Sequence, residues 1–147
     1  MKVIIFSHES DLDGLFSAAI ILIRYPQARI VFLNYGAESF MKMRGFIESA
    51  TRSSKEQGII IVSDLGLNSD TSLIDTCRET FSMAKKNNWN IVWIDHHPWP
   101  EVAIESIEPF VDLVLDSTGT KCAAELIYEK FLSGNLLAET LASLAHT

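Results

Sequence analysis

Ile91-Val92-Trp93-Ile94-Asp95-His96-His97 is an apolar run that ends abruptly in one carboxylate and two imidazoles. A run of this length followed by polar groups predicts an interior strand of a parallel sheet that passes into a loop. In open α/β sheets, ligands bind in the crevice outside the carboxyl ends of the strands. The three polar side chains at the end of this strand therefore predict a metal or phosphoryl site.

The rest of the chain alternates apolar strands with helices. Five strands are expected, at residues 2–6, 29–33, 58–63, 90–94 and 110–115. Five helices are expected, at residues 15–25, 38–53, about 69–86, 121–132 and from 136 onwards. Asn68 or Ser69 is expected to cap the third helix, with a polar connection at 54–58 and a loop or short helix at 98–109. This alternation implies right-handed crossovers, so we predict an α/β fold: a three-layer doubly wound domain with a five-stranded, mainly parallel sheet.

The composition predicts one globular domain without a membrane segment. Of the 147 residues, 48% are hydrophobic, yet no apolar stretch reaches the roughly 20 residues of a membrane helix. The net charge of −7 argues against a broad duplex-binding surface, but hardly against a metal-assisted phosphate site, because a divalent ion neutralises local carboxylates. Cys77 and Cys122 have no cysteine or histidine nearby in the sequence, so we expect two reduced, buried thiols and a cytoplasmic protein. The oligomeric state stays open.

Two further strand ends carry the same kinds of side chain. The first strand is followed by Ser7-His8-Glu9-Ser10-Asp11-Leu12-Asp13-Gly14, and the third by Asp64. Carboxylates together with imidazoles suit divalent ions such as Mn²⁺, Co²⁺ or Zn²⁺ better than Ca²⁺. Because one ion needs three or four protein ligands and more are present, we expect two ions that share a bridging carboxylate.

Taken singly, these residues have plainer interpretations. Asp64 could be a helix N-cap, and a single histidine near the edge of a core is usually packed rather than ligating. Side chains of adjacent strand residues point in opposite directions, so His96 and His97 can face one site only if the chain turns there. Pro98 gives a reason for such a turn. The functional interpretation is favoured because three separate strands deliver metal-type residues to one edge.

The segments 8–14, Asp64 and Asp95-His96-His97, in this order, resemble the motifs of the DHH phosphoesterase superfamily. That superfamily includes RecJ-type exonucleases, oligoribonuclease/phosphoadenosine phosphatases, family II pyrophosphatases, exopolyphosphatases and cyclic-dinucleotide phosphodiesterases. The resemblance spans residues 1–147 and implies a catalytic domain with two divalent metal ions as cofactors. Mn²⁺ is the first expectation, with Mg²⁺ or Co²⁺ as alternatives.

The resemblance also implies which residues hold the metals. His8 and Asp11 would bind the first ion, Asp13 and His96 the second, and Asp64 would bridge both. The nucleophile would be a water activated by the two ions, so that no covalent enzyme intermediate forms.

Asp95 and His97 are the other two residues to which the resemblance gives a catalytic role. His97 would contact the scissile phosphate, and Asp95 would orient neighbouring ligands from behind them.

Ser117-Thr118-Gly119-Thr120-Lys121 stands where the superfamily has a Gly/Ser/Thr-rich loop before a helix. Hydroxyls, backbone N–H groups and a lysine could hold a phosphate there, so the expected phosphate-binding residues besides His97 are Thr118, Gly119, Thr120 and Lys121. The alternative is a plain N-cap with a solvated lysine, which is the simpler interpretation of Lys121.

The Asp-x-Asp-Gly segment at 11–14 resembles RecJ-like and archaeal-type nucleases, whereas pyrophosphatases carry an Asn-Pro-Asp form. We therefore expect a metal-dependent phosphodiesterase or exonuclease that acts on single-stranded nucleic acid or short oligonucleotides. One alternative is a phosphohydrolase for polyphosphate, pyrophosphate or small (cyclic di)nucleotides, and another is a non-catalytic, replication-associated binding module. Superfamily members carry a further metal-binding aspartate just beyond a helix like 136–146, and a C-terminal substrate-binding domain. Residues 1–147 are thus expected to be the catalytic domain of a longer protein, with weak metal binding and poor turnover on their own.

Overall fold

The structure, a computed structural model, describes residues 1–53 and 56–147. Along the chain its elements are β1 (Lys2–His8), α1 (Leu12–Arg24), β2 (Arg29–Leu33), α2 (Ala37–Ser53), β3 (Gly58–Ser63), α3 (Thr71–Lys86), β4 (Trp89–Asp95), α4 (Glu101–Ile107), β5 (Asp112–Leu115), α5 (Ala123–Phe131) and α6 (Leu136–His146). Of the connection predicted at 54–58, residues 54 and 55 lie outside the described residues. The predicted alternation of strands and helices is confirmed.

All five strands form one sheet in the order β2-β1-β3-β4-β5, and each neighbouring pair is parallel. The predicted five-stranded α/β fold is confirmed, and the sheet is wholly rather than mainly parallel. From β1 the chain moves outward to β2 and then returns to the other side of β1 as β3. A reversal of this kind opens a crevice at the carboxyl ends of the two diverging strands, where ligands bind in open α/β sheets.

Helices cover both faces of the sheet. α2, α3 and α4 pack on one face, and α1, α5 and α6 pack on the other. In β1, Ile4 and Phe6 join the first of these cores, while Val3 and Ile5 join the second. Burial on both sides explains why the strands are unbroken apolar runs, each fully buried side chain contributing about 1.5–3 kcal/mol.

The junction between β1 and α1 differs from the prediction in a way that shapes the site. β1 runs on to His8 rather than ending at residue 6, and α1 begins at Leu12 rather than at residue 15. α1 begins early because the Asp11 carboxylate accepts a hydrogen bond from the Gly14 N–H at 2.9 Å and caps the helix. Asp13 and Gly14 consequently lie in the first turn of a helix and not in a loop.

Other boundaries also differ from the sequence-based expectation. The prediction that Asn68 or Ser69 caps α3 is wrong, because Asp70 accepts hydrogen bonds from Ser72 N and Leu73 N, while Asn68 accepts one from Asp70 N. The stretch at 98–109 contains the short helix α4. β5 begins at residue 112 rather than 110, since the N–H of residue 110 closes the turn after α4. No helix in the described parts of the chain is long and apolar enough to cross a membrane.

Candidate metal centre

The carboxyl ends of three adjacent strands define the candidate metal centre. β1, β3 and β4 lie side by side in register, so the residues at or just beyond their ends lie at the same edge of the sheet: His8, Asp64 and Asp95. The parallel pairing therefore brings together three side chains that are far apart in the sequence.

His8, at the end of β1, is buried and faces two carboxylates. Its Nδ1 lies 3.3 Å from Asp11 Oδ2 and 3.7 Å from Asp64 Oδ2. Asp11 is held there by its role as N-cap of α1. Residue 14 has to be glycine, because a Cβ at that position would lie 1.9 Å from the carbonyl oxygen of His8. The close approach of α1 to the strand end thus fixes Asp11 beside His8.

Asp13 links α1 to α5 and to the loop after β4. Its carboxylate oxygens accept hydrogen bonds from Ala124 N at 2.8 Å and Ala123 N at 3.1 Å, the first N–H groups of α5. Oδ2 also lies 3.1 Å from His96 Nε2. Burial disfavours the charged carboxylate, but His96 and the two N–H groups outweigh burial and lower the pKa of Asp13. Asp13 is therefore held as a positioned anion.

Asp64 is fully buried at the centre of the site. Its φ of 58° lies in the left-handed region, which aspartate tolerates better than most residues, and its N–H donates to the carbonyl of Ile94 at 3.1 Å. Oδ1 forms a hydrogen bond with His96 Nε2 at 3.0 Å, whereas Oδ2 is buried without a hydrogen-bond partner among the described residues. Asp64 does not cap α3, because Asp70 does. Strained backbone and an unsatisfied buried oxygen both cost free energy and are typical of functional sites.

His96 and His97 both reach the site because β4 ends at Asp95 and the chain turns before Pro98, as the sequence predicts. The centroids of the two imidazole rings are 4.4 Å apart. His96 contacts Asp13 and Asp64, while His97 lies on the outer side of the site. The turn gives the two adjacent histidines separate partners.

Asp95 is fully buried behind His97. Its Oδ1 lies 2.7 Å from His97 Nδ1, and its Oδ2 accepts a hydrogen bond from the indole N–H of Trp99 at 2.9 Å. The hydrogen bond with Asp95 raises the pKa of His97 above its ordinary value. Asp95 thus fixes the orientation of the imidazole ring and turns Nε2 of His97 to the outer side of the site.

The site carries more negative charge than its histidines balance. Burial, together with the neighbouring carboxylates of Asp11 and Asp13, raises the pKa of Asp64 to about 7 against the opposing effect of His96. Hydrogen bonds with Asp13 and Asp64 raise the pKa of His96 to about 10. Both shifts have one physical cause, an excess of buried carboxylate, which a divalent cation would neutralise.

The donor atoms fit a divalent metal. Two groups of donors each lie within 4.8 Å of one another: His8, Asp11 and Asp64 in the first, and Asp64, Asp95, His96 and His97 in the second. Asp64 belongs to both groups, and its Oδ2 and the Nε2 of His8 are buried without partners in the described chain. Imidazole nitrogens mixed with carboxylate oxygens suit first-row divalent ions.

Tyr35 was not predicted from the sequence. It follows β2, its hydroxyl lies 3.3 Å from His97 Nε2, and its ring centroid is 4.4 Å from that of His8. Half of the residue is exposed. Burial and the nearby charges of Asp64 and Asp95 raise the pKa of Tyr35 to about 12, so it stays protonated as a hydrogen-bond donor. The one sequence signal for Tyr35 was its position two residues beyond the end of a strand, β2.

The loop 117–121 has mostly internal contacts. Thr118 donates to Asp116 and pairs with Thr120 through hydroxyls 2.8 Å apart, and Gly119 adopts a φ of 80°. Lys121 Nζ lies 2.6 Å from Glu129 Oε1. In the described part of the chain, none of these contacts joins the loop to the predicted metal ligands. Its role in phosphate binding therefore stays a prediction, and Lys121 already has an anionic partner.

The two cysteines differ from each other. Cys77 is a free, buried thiol, as expected, but Cys122 is only partly buried. Cys122 also lies with Glu125 and His146 in a group whose donor atoms are within 4.8 Å of one another. The expectation of a buried thiol is therefore wrong for Cys122, and the packing of α6 beside α5 brings His146 close to it from a distant part of the sequence.

This chain is similar to a known protein family and to a solved structure. The family model described as "DHH family, N-terminal domain" matches residues 2–146. The fold is similar to the crystal structure of an uncharacterized protein from Helicobacter pylori G27, with a TM-score of 0.70 and 25% sequence identity. That match covers 99% of this chain and 42% of the other, so this chain spans less than half of that protein's length. No curated protein matches closely enough to count as a relative. The match over nearly the whole length shows that this chain belongs to the DHH family, as an N-terminal domain of that family.

Proposed function

We propose that the protein is a divalent-metal-dependent phosphodiesterase that hydrolyses single-stranded nucleic acid or short oligonucleotides, with Mn²⁺ as its preferred ion. The observation that carries the proposal is Asp64, which is fully buried and belongs to two groups of metal-type donors. Among the described residues its Oδ2 has no hydrogen-bond partner. Membership of the DHH family supports the reaction class, because DHH domains are generally metal-dependent phosphoesterases. Residues 1–147 would form the catalytic domain of a cytoplasmic enzyme.

Five side chains would hold two metal ions. His8 and Asp11 would bind one ion, Asp13 and His96 the other, and Asp64 would bridge them. Bound there, the ions would neutralise the charge of a phosphate and lower the pKa of a water nucleophile. The lowered pKa of Asp13 keeps this ligand ionised at neutral pH.

His97 is placed to bind the substrate phosphate. Asp95 holds Nδ1 of its ring and raises the pKa of His97, which favours a protonated imidazole. A protonated His97 would donate from Nε2 to a non-bridging phosphate oxygen, in a charge-assisted hydrogen bond. Tyr35 is the present neighbour of Nε2 and would donate its hydroxyl to the same phosphate group. Thr118, Gly119 and Thr120 would contact a phosphate from the loop before α5.

Tyr35 also favours nucleic acid over polyphosphate as the substrate. Half of the residue is exposed at the rim of the site, beside the imidazoles of His8 and His97. Exposed aromatic rings stack with bases in proteins that bind single strands, a contact worth about 1–3 kcal/mol per base. A polyphosphate chain has no group that would use this ring.

The substrate assignment can be tested by supplying the protein with Mn²⁺ and several phosphoesters. We expect cleavage of a labelled pentathymidylate, and slower or no hydrolysis of polyphosphate and of a cyclic dinucleotide. Asp64→Ala should abolish both Mn²⁺ binding and cleavage, whereas Asp75→Ala, at a partly exposed acid paired with Arg78, should change neither. Hydrolysis of polyphosphate alone would contradict the substrate class. Tight Mn²⁺ binding without hydrolysis of any of the three would contradict the enzymatic function.

The role of Tyr35 needs a second substrate without a base. Tyr35→Phe should retain stacking, and Tyr35→Ala should lose it. We expect Tyr35→Ala to lower kcat/KM for the pentathymidylate by about tenfold, the value of one lost stack, and to spare an abasic deoxyribose-phosphate oligomer of the same length much more. An equal loss on both substrates would show that Tyr35 acts on the phosphate alone.

A further inference from the structure

A cavity lies at the opposite end of the sheet from the candidate metal centre. It has a volume of about 940 Å³ and is lined by the start of β1, the end of α1, the turn into β2 and the middle of α2. β1 begins at Lys2 in this cavity and ends at His8 in the metal centre. The two sites are therefore separated by roughly the length of the strand, about 20 Å.

The cavity is basic in a chain that is acidic as a whole. Four cationic side chains line it, and no aspartate or glutamate does among the described residues: Lys2, Arg24, Arg29 and Lys42. None of the four has an ion-pair partner in the described part of the chain. Elsewhere, Lys85 and Lys86 also have no carboxylate partner among the described residues, but five cations do: Arg44, Arg52, Arg78, Lys121 and Lys130. The net charge is −7, so carboxylates are abundant in this chain. A cluster of four cations without carboxylate partners in its described part therefore indicates a binding site for an external anion.

Two of the cations are held in position by aromatic rings. The guanidinium of Arg24 lies 4.7 Å from the ring centroid of Tyr25, and that of Arg29 lies 4.7 Å from that of Phe46. Stacking of this kind orients the planar group while its N–H donors remain available. Guanidinium groups bind phosphate oxygens through paired hydrogen bonds, so an oriented arginine is a better phosphate ligand than a free one.

The rest of the lining suits a larger ligand than a single inorganic ion. Val3, Ile4 and Ala28 give the cavity an apolar part, while Gln27 and Ser49 offer neutral donors and acceptors. The volume lies at the upper end of the range for sites that take small organic molecules. The N-terminal amine also lines the cavity, but it is already paired with a carboxylate of residue 56.

We propose that this cavity binds a nucleotide through its phosphate chain, with the four unpaired cations on the phosphates and the apolar and amide groups on the nucleoside. The ligand is a nucleoside polyphosphate, whose negative charge is similar to the positive charge of the site. Binding at this end of the sheet needs neither the metal ligands nor a divalent ion. It is therefore independent of the proposed phosphodiesterase activity and can be measured without it.

A substitution at Gly45 can place a negative charge in the cavity. Gly45 lies on α2 and lines the cavity, and a Cβ at this position would meet nothing within 4 Å. Gly45→Glu therefore introduces a carboxylate without a steric conflict in the fold, and glutamate is a better helix former than glycine. Arg29→Glu removes one of the oriented cations. Lys86→Glu is the matched control for Arg29→Glu, because it makes the same change of charge at an exposed lysine on α3.

The test is calorimetric titration with ATP in EDTA, which prevents metal-dependent hydrolysis, after thermal melting has shown that each variant is folded. We expect saturable one-to-one binding of ATP by the wild-type chain, weaker binding of inorganic tripolyphosphate, and a loss of about tenfold or more in affinity for Gly45→Glu and Arg29→Glu. Lys86→Glu should stay within about twofold of the wild type.

Four outcomes would overturn the proposal. The first is no saturable binding of ATP, and the second is unchanged affinity in Gly45→Glu. The third is tripolyphosphate that binds as tightly as ATP, which would show that the nucleoside contributes nothing to binding. The fourth is a single-stranded oligonucleotide that competes with ATP and binds more tightly than ATP does. That result would make the cavity a groove for a nucleic-acid strand.

Discussion

Nδ1 of His97 lies 2.7 Å from Oδ1 of the fully buried Asp95. The other oxygen of Asp95 is occupied by the indole N–H of Trp99, so the carboxylate cannot rotate away from the imidazole. This pair fixes which nitrogen of His97 faces the substrate side of the site. It also makes the charge of His97 depend on that of Asp95.

Asp95→Asn keeps the shape of the side chain and removes its charge. We expect the pKa of His97 to fall towards its ordinary value, because hydrogen bonding with Asp95 is what raises it. Phosphodiesterase activity should drop about 10–100-fold, as is usual when a residue that orients a functional histidine is changed. NMR titration of the His97 ring gives the first quantity and kcat the second. Asp75→Asn is the control, since it makes the same chemical change at a carboxylate on α3 that is paired with Arg78. An unchanged His97 pKa in Asp95→Asn would refute the pairing.

Gly14 and Gly45 form a matched pair for a stability test. Gly14→Ala puts a Cβ 1.9 Å from the backbone oxygen of His8, whereas Gly45→Ala meets nothing within 4 Å. We expect Gly14→Ala to lower the free energy of unfolding by roughly 3 kcal/mol or more through backbone displacement. Gly45→Ala should raise it by up to about 1 kcal/mol, because alanine favours a helix. Urea denaturation measures both, and equal effects of the two substitutions would show that α1 is not tightly packed on the end of β1.

Asp70 and Asn68 allow the helix cap of α3 to be located experimentally. Asp70 accepts hydrogen bonds from Ser72 N and Leu73 N, whereas Asn68 accepts one from Asp70 N alone. Asp70→Ala should cost about 1 kcal/mol of unfolding free energy and Asn68→Ala clearly less. If thermal melts rank the two substitutions the other way round, the helix begins earlier than the structure has it.

The sequence was sufficient to predict the sheet and the meeting of most candidate ligands at one of its edges, and the reason is physical. Strands buried on both faces must be continuous apolar runs, so a carboxylate or imidazole that follows such a run stands out. Asp64 and Asp95 were found in this way. Because parallel strands share one carboxyl edge, the meeting of these residues with His8 followed from the topology alone.

Other features depend on contacts that no local pattern encodes. Asp13 is held by the first N–H groups of α5, residues 123 and 124, which lie 110 and 111 positions away in the sequence. Tyr35 carries no ligand group, so its place between His8 and His97 could not be read from residue type. The cap of α3 was misplaced because several residues that favour caps stand in a row from 68 to 72. Lys121 was a candidate for phosphate binding, but its ammonium group is paired with Glu129 on the following helix, α5.

Metal binding should release protons, with an affinity that rises with pH. Without metal, the pKa of His96 is raised to about 10 and that of Asp64 to about 7, so at pH 6.5 both groups are mostly protonated. Both must lose their protons to act as ligands, and therefore higher pH favours the metal-bound form. We expect release of one to two protons per site at pH 6.5, falling to about one at pH 8.5, where only His96 still holds its proton. Calorimetric titration of Mn²⁺ in two buffers of different ionisation enthalpy counts these protons.

His96→Gln should release about one proton fewer at both pH values, while Lys86→Glu, an exposed position on α3, should leave the number unchanged. An affinity for Mn²⁺ that stays flat between pH 6 and 9 would show that His96 is not a metal ligand.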